Sequence, residues 1–242
     1  MIREITSVVT VLLAVAGGGL GVLSPAGVAA ALLHDYELNG TYADSLGGPP
    51  IVPNGGTLGP TGYTFAATQG PSLSNALPVP GNYSIEMGFT LKSTVGYRKI
   101  LDFKDGTSDN GLYNYDTSLN FYDVATGPSG VFTADVPVTV RLTRNGATGE
   151  VVGYVNGIEQ IRFIDSAGDA IFTATNNIIH FLQDDTAVPG EDASGFLDFV
   201  RISDGPPSGI NAPALDGGGL VATALILLAV GARSLSRKRS PA

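Results

Sequence analysis

The sequence predicts an all-β, two-sheet antiparallel sandwich, and three observations lead there. Tyr83, Ile85, Met87, Phe89 and Leu91 alternate with Ser84, Glu86, Gly88, Thr90 and Lys92, the period of two that half-buries a strand. Val138, Val140 and Leu142 repeat the pattern against Thr139, Arg141 and Thr143. Asn-Gly recurs at Asn39, Asn54, Asn110, Asn145 and Asn156, and both residue types accept the positive φ of tight turns, so each pair marks a turn between β-runs. No segment between Leu32 and Ser208 carries a helical period with caps. Many short strands joined by Gly- and Pro-rich turns make a sandwich or a barrel, and the size favours a sandwich.

Taken in order, the chain opens with a short start holding Arg3, an apolar run from Val8 to Leu23, and the small residues Gly27 to Ala31. Residues 1–31 therefore read as a secretory signal peptide cut near Ala29 to Ala31. Residues 32–204 hold the sandwich. Within them Asn39 to Gly62 is rich in Gly and Pro and poor in apolar side chains, which suits a surface loop or a sheet edge. Val151 to Val155, the pair Asn156-Gly157, and Ile158 to Ile164 form a hairpin signal. Residues 205–219 read as a linker, because Pro206 and Pro207 cannot donate to a strand ladder. Residues 220–242 hold an apolar run, Leu220 to Ala232, ahead of the basic cluster Arg233, Arg237, Lys238 and Arg239. That run is shorter than the ~20 residues that span a bilayer comfortably. The basic cluster would stay cytoplasmic, leaving the middle of the chain outside.

Charge narrows the partners. The chain has 13 Lys and Arg against 22 Asp and Glu, a formal charge of −9. Setting aside Arg3, the four basic residues of the tail, Glu4 and Asp216 leaves eight against twenty, near −12 for the exported part. Nucleic acid and anionic lipid both need basic surface and are excluded as partners. With no cysteine, neither disulfides nor thiolate metal sites contribute.

The side chains that carry chemistry fall into two groups. Asp184 and Asp185, with Glu191 shortly after, supply the oxygen ligands that a hard cation takes, and calcium is the candidate cofactor. Tyr97, Tyr113, Asn114, Tyr115 and Tyr122 supply aromatic faces and an amide suited to sugar rings. Asp102, Asp105 and Asp109 around Lys104 read as a solvated acidic loop, and Glu86 as an outward strand residue. His34 and His180 lie in apolar strand-like runs without a Gly-x-Ser-x-Gly elbow and read as structural. Glycoside hydrolysis needs two carboxylates flanking the scissile bond, and no Glu-x-Asp-x-Glu run sets them along one face of a strand. The expectation is a protein that is not an enzyme.

Two family resemblances follow from these segments. Tyr36 to Ser45, the run Gly153-Tyr154-Val155-Asn156-Gly157, Phe181 to Asp185 and Gly195 to Ile202 together resemble laminin-G-like, concanavalin A-like domains. That resemblance implies a jelly-roll sandwich whose first and last strands pair, and a calcium-holding rim in some members. Pro213 to Leu220, the apolar run and the basic end resemble an IPTL-CTERM tail of the PEP-CTERM group, chiefly in layout. It implies processing by an exosortase-type membrane protease, with the membrane met through the C-terminal segment beforehand, and delivery to the cell surface or extracellular matrix. The functional expectation is an exported binding module for a glycan or another envelope or matrix component. A structural matrix or biofilm protein without one ligand is the alternative, and a glycoside hydrolase on the same fold a minor one.

Overall fold

The computed structural model describes residues 30–173, 177–185, 188 and 190–207. The leader and sorting tail read from the sequence lie outside these, apart from Ala30, Ala31 and Gly205 to Pro207. Among the described residues no helix is long and apolar enough to cross a membrane. The described residues form an all-β sandwich of two antiparallel sheets.

In chain order the strands are β1 (Leu32–Tyr36), β2 (Thr57–Gly59), β3 (Gly62–Phe65), β4 (Ser72–Leu73), β5 (Tyr83–Leu91), β6 (Tyr97–Asp102) and β7 (Gly111–Tyr115). They continue as β8 (Ser118–Phe121), β9 (Ala125–Thr126), β10 (Val138–Arg144), β11 (Glu150–Val155), β12 (Ile158–Ile164), β13 (Ile179–Phe181) and β14 (Gly195–Ser203). The eight-stranded sheet runs β12-β11-β10-β5-β14-β3-β2, and β1 also pairs with β14. The six-stranded sheet runs β4-β13-β6-β7-β8-β9.

The first and last strands pair as expected. On one side β14 meets β5 along its whole length; on the other, Gly195 to Leu197 meet β3 and Val200 to Ser203 meet β1. Ile85, Met87, Phe89 and Leu91 of β5 are buried, as their alternation requires. They join Val138, Val140 and Leu142 of β10 and Leu197, Val200 and Ile202 of β14 in one continuous core. Leu101, Leu112, Leu119, Phe121, Ile179 and Phe181 bring the six-stranded sheet into that core. Burying such side chains stabilises each by roughly 1.5–3 kcal/mol, which lets a fold without disulfides hold together.

The β11–β12 hairpin is closed by Asn156 at φ 50° and Gly157 at φ 79°, the conformation a two-residue turn demands. The other four Asn-Gly pairs also flank strands, but within longer loops. Asn39 to Gly62 is mostly exposed and ends in the edge strand β2, with Ile51 as its buried anchor. Asp44 turns that loop back onto β1. Its carboxylate accepts the N–H groups of Asp35, Leu46 and Gly48 and meets His34 Nδ1 at 2.6 Å. His34 Nε2 lies 2.9 Å from the Ala76 carbonyl, so this histidine is a structural tie between loops.

Candidate functional site

Alternation along β7 and β8 decides what each face of the six-stranded sheet presents. Leu112, Leu119 and Phe121 turn into the core, so Tyr113 and Tyr115 turn outward. In register across β6, Tyr97 lies opposite Tyr115 and Lys99 opposite Tyr113. The Tyr97 and Tyr115 rings stack with centroids 4.2 Å apart and 19° between planes. Tyr97 also meets Tyr113 and Tyr122 edge-on, at 5.4 and 5.7 Å. Tyr97, Tyr115 and Tyr122 are half-buried, whereas Tyr113 is fully buried beneath them. Three of the four tyrosines expected from the sequence thus form one outer platform, and Tyr113, with no exposed surface, supports it from beneath.

Asn114 does not belong to it. As the residue between Tyr113 and Tyr115 it takes the opposite face, is buried, and donates from Nδ2 to the Thr94 carbonyl at 3.0 Å.

At one end of the platform lies a buried charge cluster. Lys99 has no exposed surface; its ammonium is 2.9 Å from Asp184 Oδ1 and 3.4 Å from Asp102 Oδ2. It also lies 4.4 Å from the Tyr113 ring centroid, within cation–π range. The Tyr113 hydroxyl faces Asp184 Oδ1 and the Asp109 carbonyl, each at 3.2 Å. Burial, then the Asp184 charge, holds its pKa well above the usual phenol range. Backbone bonds fix the neighbouring loop: Lys99 N–H donates to the Glu191 carbonyl at 3.0 Å, and the Arg98 guanidinium donates to the Gly190 carbonyl.

Too many carboxylates share this corner for one ammonium. Burial pushes the Glu191 carboxyl up to about 7, with the charges of Asp184 and Asp109 adding and Lys99 opposing. Burial and the Asp185 carboxylate raise Asp109. Burial also raises Asp192, although the Asp184 N–H that donates to it at 3.1 Å pulls the other way. Asp102 is not part of the solvated loop that the sequence suggested, whereas Asp109 is half-buried in that loop. Asp102 is fully buried, and one of its oxygens accepts the N–H groups of Lys104 and Gly106. Asp105 alone of that group is exposed, and it pairs with His180 Nε2 at 2.8 Å.

The residues read as calcium ligands, Asp184, Asp185 and Glu191, do converge on this corner, but the cation that Asp184 meets is Lys99. Among the described residues no group of three or more carboxylate or imidazole side chains has the spacing of a metal site. Sequence reasoning missed Lys99, because lysine is almost never fully buried unless paired. The available signal was its place two residues after Tyr97, on the same face of a strand.

Beyond the platform, a pocket of about 410 Å³ opens beside Tyr122, bounded by Asp109, Asn110, Asp123 and Asp169. No basic side chain lines it.

No family model matches the chain, and no curated protein matches it in sequence. Solved structures match it in fold. Domain 4 of a GH43 extracellular arabinanase from Geobacillus stearothermophilus, in complex with arabinotriose, superposes with a TM-score of 0.53 at 15% identity, over 75% of this chain and 96% of that one. A Trypanosoma rangeli sialidase in complex with 2,3-difluorosialic acid gives 0.53 at 15% identity, over 72% of this chain and 31% of that one. The botulinum neurotoxin serotype D binding domain gives 0.50 at 13% identity, over 72% of this chain and 48% of that one. At such identities the likeness establishes the sandwich and nothing narrower.

Proposed function

We propose that this chain is an exported, surface-delivered, non-enzymatic binding module that takes a glycan on the tyrosine platform of its six-stranded sheet. The observation that carries the reading is the assembly of Tyr97, Tyr115 and Tyr122 on one outer face, next to the acid-lined pocket at Tyr122. Flat rings offer sugar faces a large amphipathic contact, and the carboxylates and the Asn110 amide offer partners for hydroxyl groups. A related fold holding arabinotriose supports the reading at the level of architecture.

Charge sets the class of glycan. Seven of the eight basic side chains in the sandwich already bond to oxygens of the fold, and the eighth, Arg141, lies over the Tyr154 ring. Carboxylates near Tyr122 meet no free cation, so a neutral glycan fits and a uronate or sialate is repelled. Calcium stays a proposal for the Asp184, Asp185 and Glu191 corner, where it would sit beside Lys99. Surface delivery rests on the leader and tail patterns of the sequence.

The test is binding of the full chain to a panel of neutral and acidic oligosaccharides, with calcium and with chelator. Arabinotriose, xylotriose, cellotriose and maltotriose form the neutral arm. A selective neutral-sugar signal, weakened at least tenfold by Tyr97→Ala or Tyr122→Ala, is expected. Loss on chelation would add calcium to the site. No signal in any arm would sink the glycan reading and leave the structural matrix role.

A further inference from the structure

The outer face of the eight-stranded sheet carries a second concavity, on the opposite side of the sandwich from the tyrosines. A β-bulge creates it. The β5–β14 register pairs Gly195 with Leu91, Phe196 with Thr90 and Leu197 with Phe89, then steps to Phe199 opposite Gly88, leaving Asp198 as the extra residue. Strict alternation from the buried Leu197 would bury Phe199 and expose Val200. With the bulge, Leu197, Val200 and Ile202 all reach the core, and Phe196 and Phe199 both face out with Asp198 exposed between them.

Each ring lies over a glycine. A Cβ on Gly62 would stand 2.3 Å from the Phe196 ring, and one on Gly88 2.4 Å from the Phe199 ring. Any other residue at either place would lift the ring off the sheet. The two rings line a pocket of about 310 Å³ with Thr61, Thr90, Thr139 and Asp198, and Phe196 supplies its floor, because Arg201 lies over Phe199. The neighbouring Arg201 is spent elsewhere: it covers Phe199 at 4.4 Å and bonds to Asp35 at 3.1 Å and to Glu37.

We infer that this pocket is a second glycan subsite, which takes one neutral sugar ring, so that the domain holds two glycan chains on opposite faces. The inference rests on the glycan reading above and extends it to a different sheet. Aromatic floor, hydroxyl walls and a single carboxylate match a hydroxyl-rich, uncharged ring and disfavour an anionic one. The volume falls at the low end of small-molecule sites, roughly 300–1,000 Å³, which suits one ring with its linkage. A module with two such faces joins separate polysaccharide strands, and avidity then exceeds either affinity.

Calorimetry of the full chain with the four neutral oligosaccharides named above tests this. Two molecules bound per chain are expected. Phe196→Ala should remove one, Tyr122→Ala the other, and Asp198→Ala, at an exposed position that leaves the core intact, should weaken the first at least tenfold. One molecule per chain, abolished by Tyr122→Ala and untouched by Phe196→Ala and Asp198→Ala, would overturn the second subsite while the first reading stood. No binding to the unaltered chain would overturn both.

Discussion

Lys99 and the carboxylates around it set the chemistry at the scale of single residues. A fully buried ammonium survives only where nearby oxygens replace its water; Asp184, Asp102 and the Asp109 carbonyl do so, and the Tyr113 ring adds a cation–π contact. Lys99→Met would leave Asp184 and Asp102 buried without a counter-charge. Its unfolding free energy in urea should fall by about 3–5 kcal/mol, the cost of breaking a buried pair from one side. A fall below about 1 kcal/mol would contradict the role given to Lys99. Glu191 gives the pH dependence. Its folded carboxyl titrates near 7, above its unfolded range, so between pH 4.5 and 7 the folded chain binds more protons than the unfolded one. Stability should therefore decline as pH rises through that window, and Glu191→Gln should flatten the decline. A melting temperature that rose from pH 5.5 to 7.5, or an identical slope in the variant, would contradict this. Sequence reading grouped Asp184, Asp185 and Glu191 but left out Lys99, since a lysine in a strand reads as a surface charge, and Asp102 and Asp109, which read as a solvated loop. Only the fold brings residues 99, 102, 109, 184 and 191 together.

At the scale of elements, strands that alternate cleanly were legible and those governed by irregularity were not. The alternation of β5 and β10 located both strands and their buried sides, and Asn156-Gly157 located the β11–β12 hairpin. Gly157 sits at φ 79°, where side-chain-bearing L-residues pay roughly 1–2 kcal/mol. Gly157→Ala should lower stability by about that amount, measured by denaturant titration, while glycan binding holds. A neutral outcome would mean the turn relaxes into another type. The strands β2, β4 and β9 have three residues or fewer, too short for any period to declare them. The bulge at Asp198 hid for another reason: Phe196, Leu197, Phe199 and Val200 are all large and apolar, so composition cannot say which two face out. Alternation also explains Asn114. Its neighbours Tyr113 and Tyr115 share a face, and the residue between them cannot join it.

At the scale of the whole molecule, the two sheets divide the labour. Their shared core supplies stability, and each outer face is left free to carry aromatic side chains, tyrosines on one side and Phe196 with Phe199 on the other. The pairing of β1 with β14 ties the two ends of the sandwich together, with Leu32 opposite Ser203. The central claim is that the outer tyrosine face meets glycan. Its most direct test is an NMR titration of the isotope-labelled chain with the neutral oligosaccharide that binds best. Shift changes at Tyr97, Tyr115, Tyr122 and Asp123 are predicted, with saturation at one affinity for that face. Shifts confined to other loops, or none on β6 to β8 while binding is measured by other means, would contradict it.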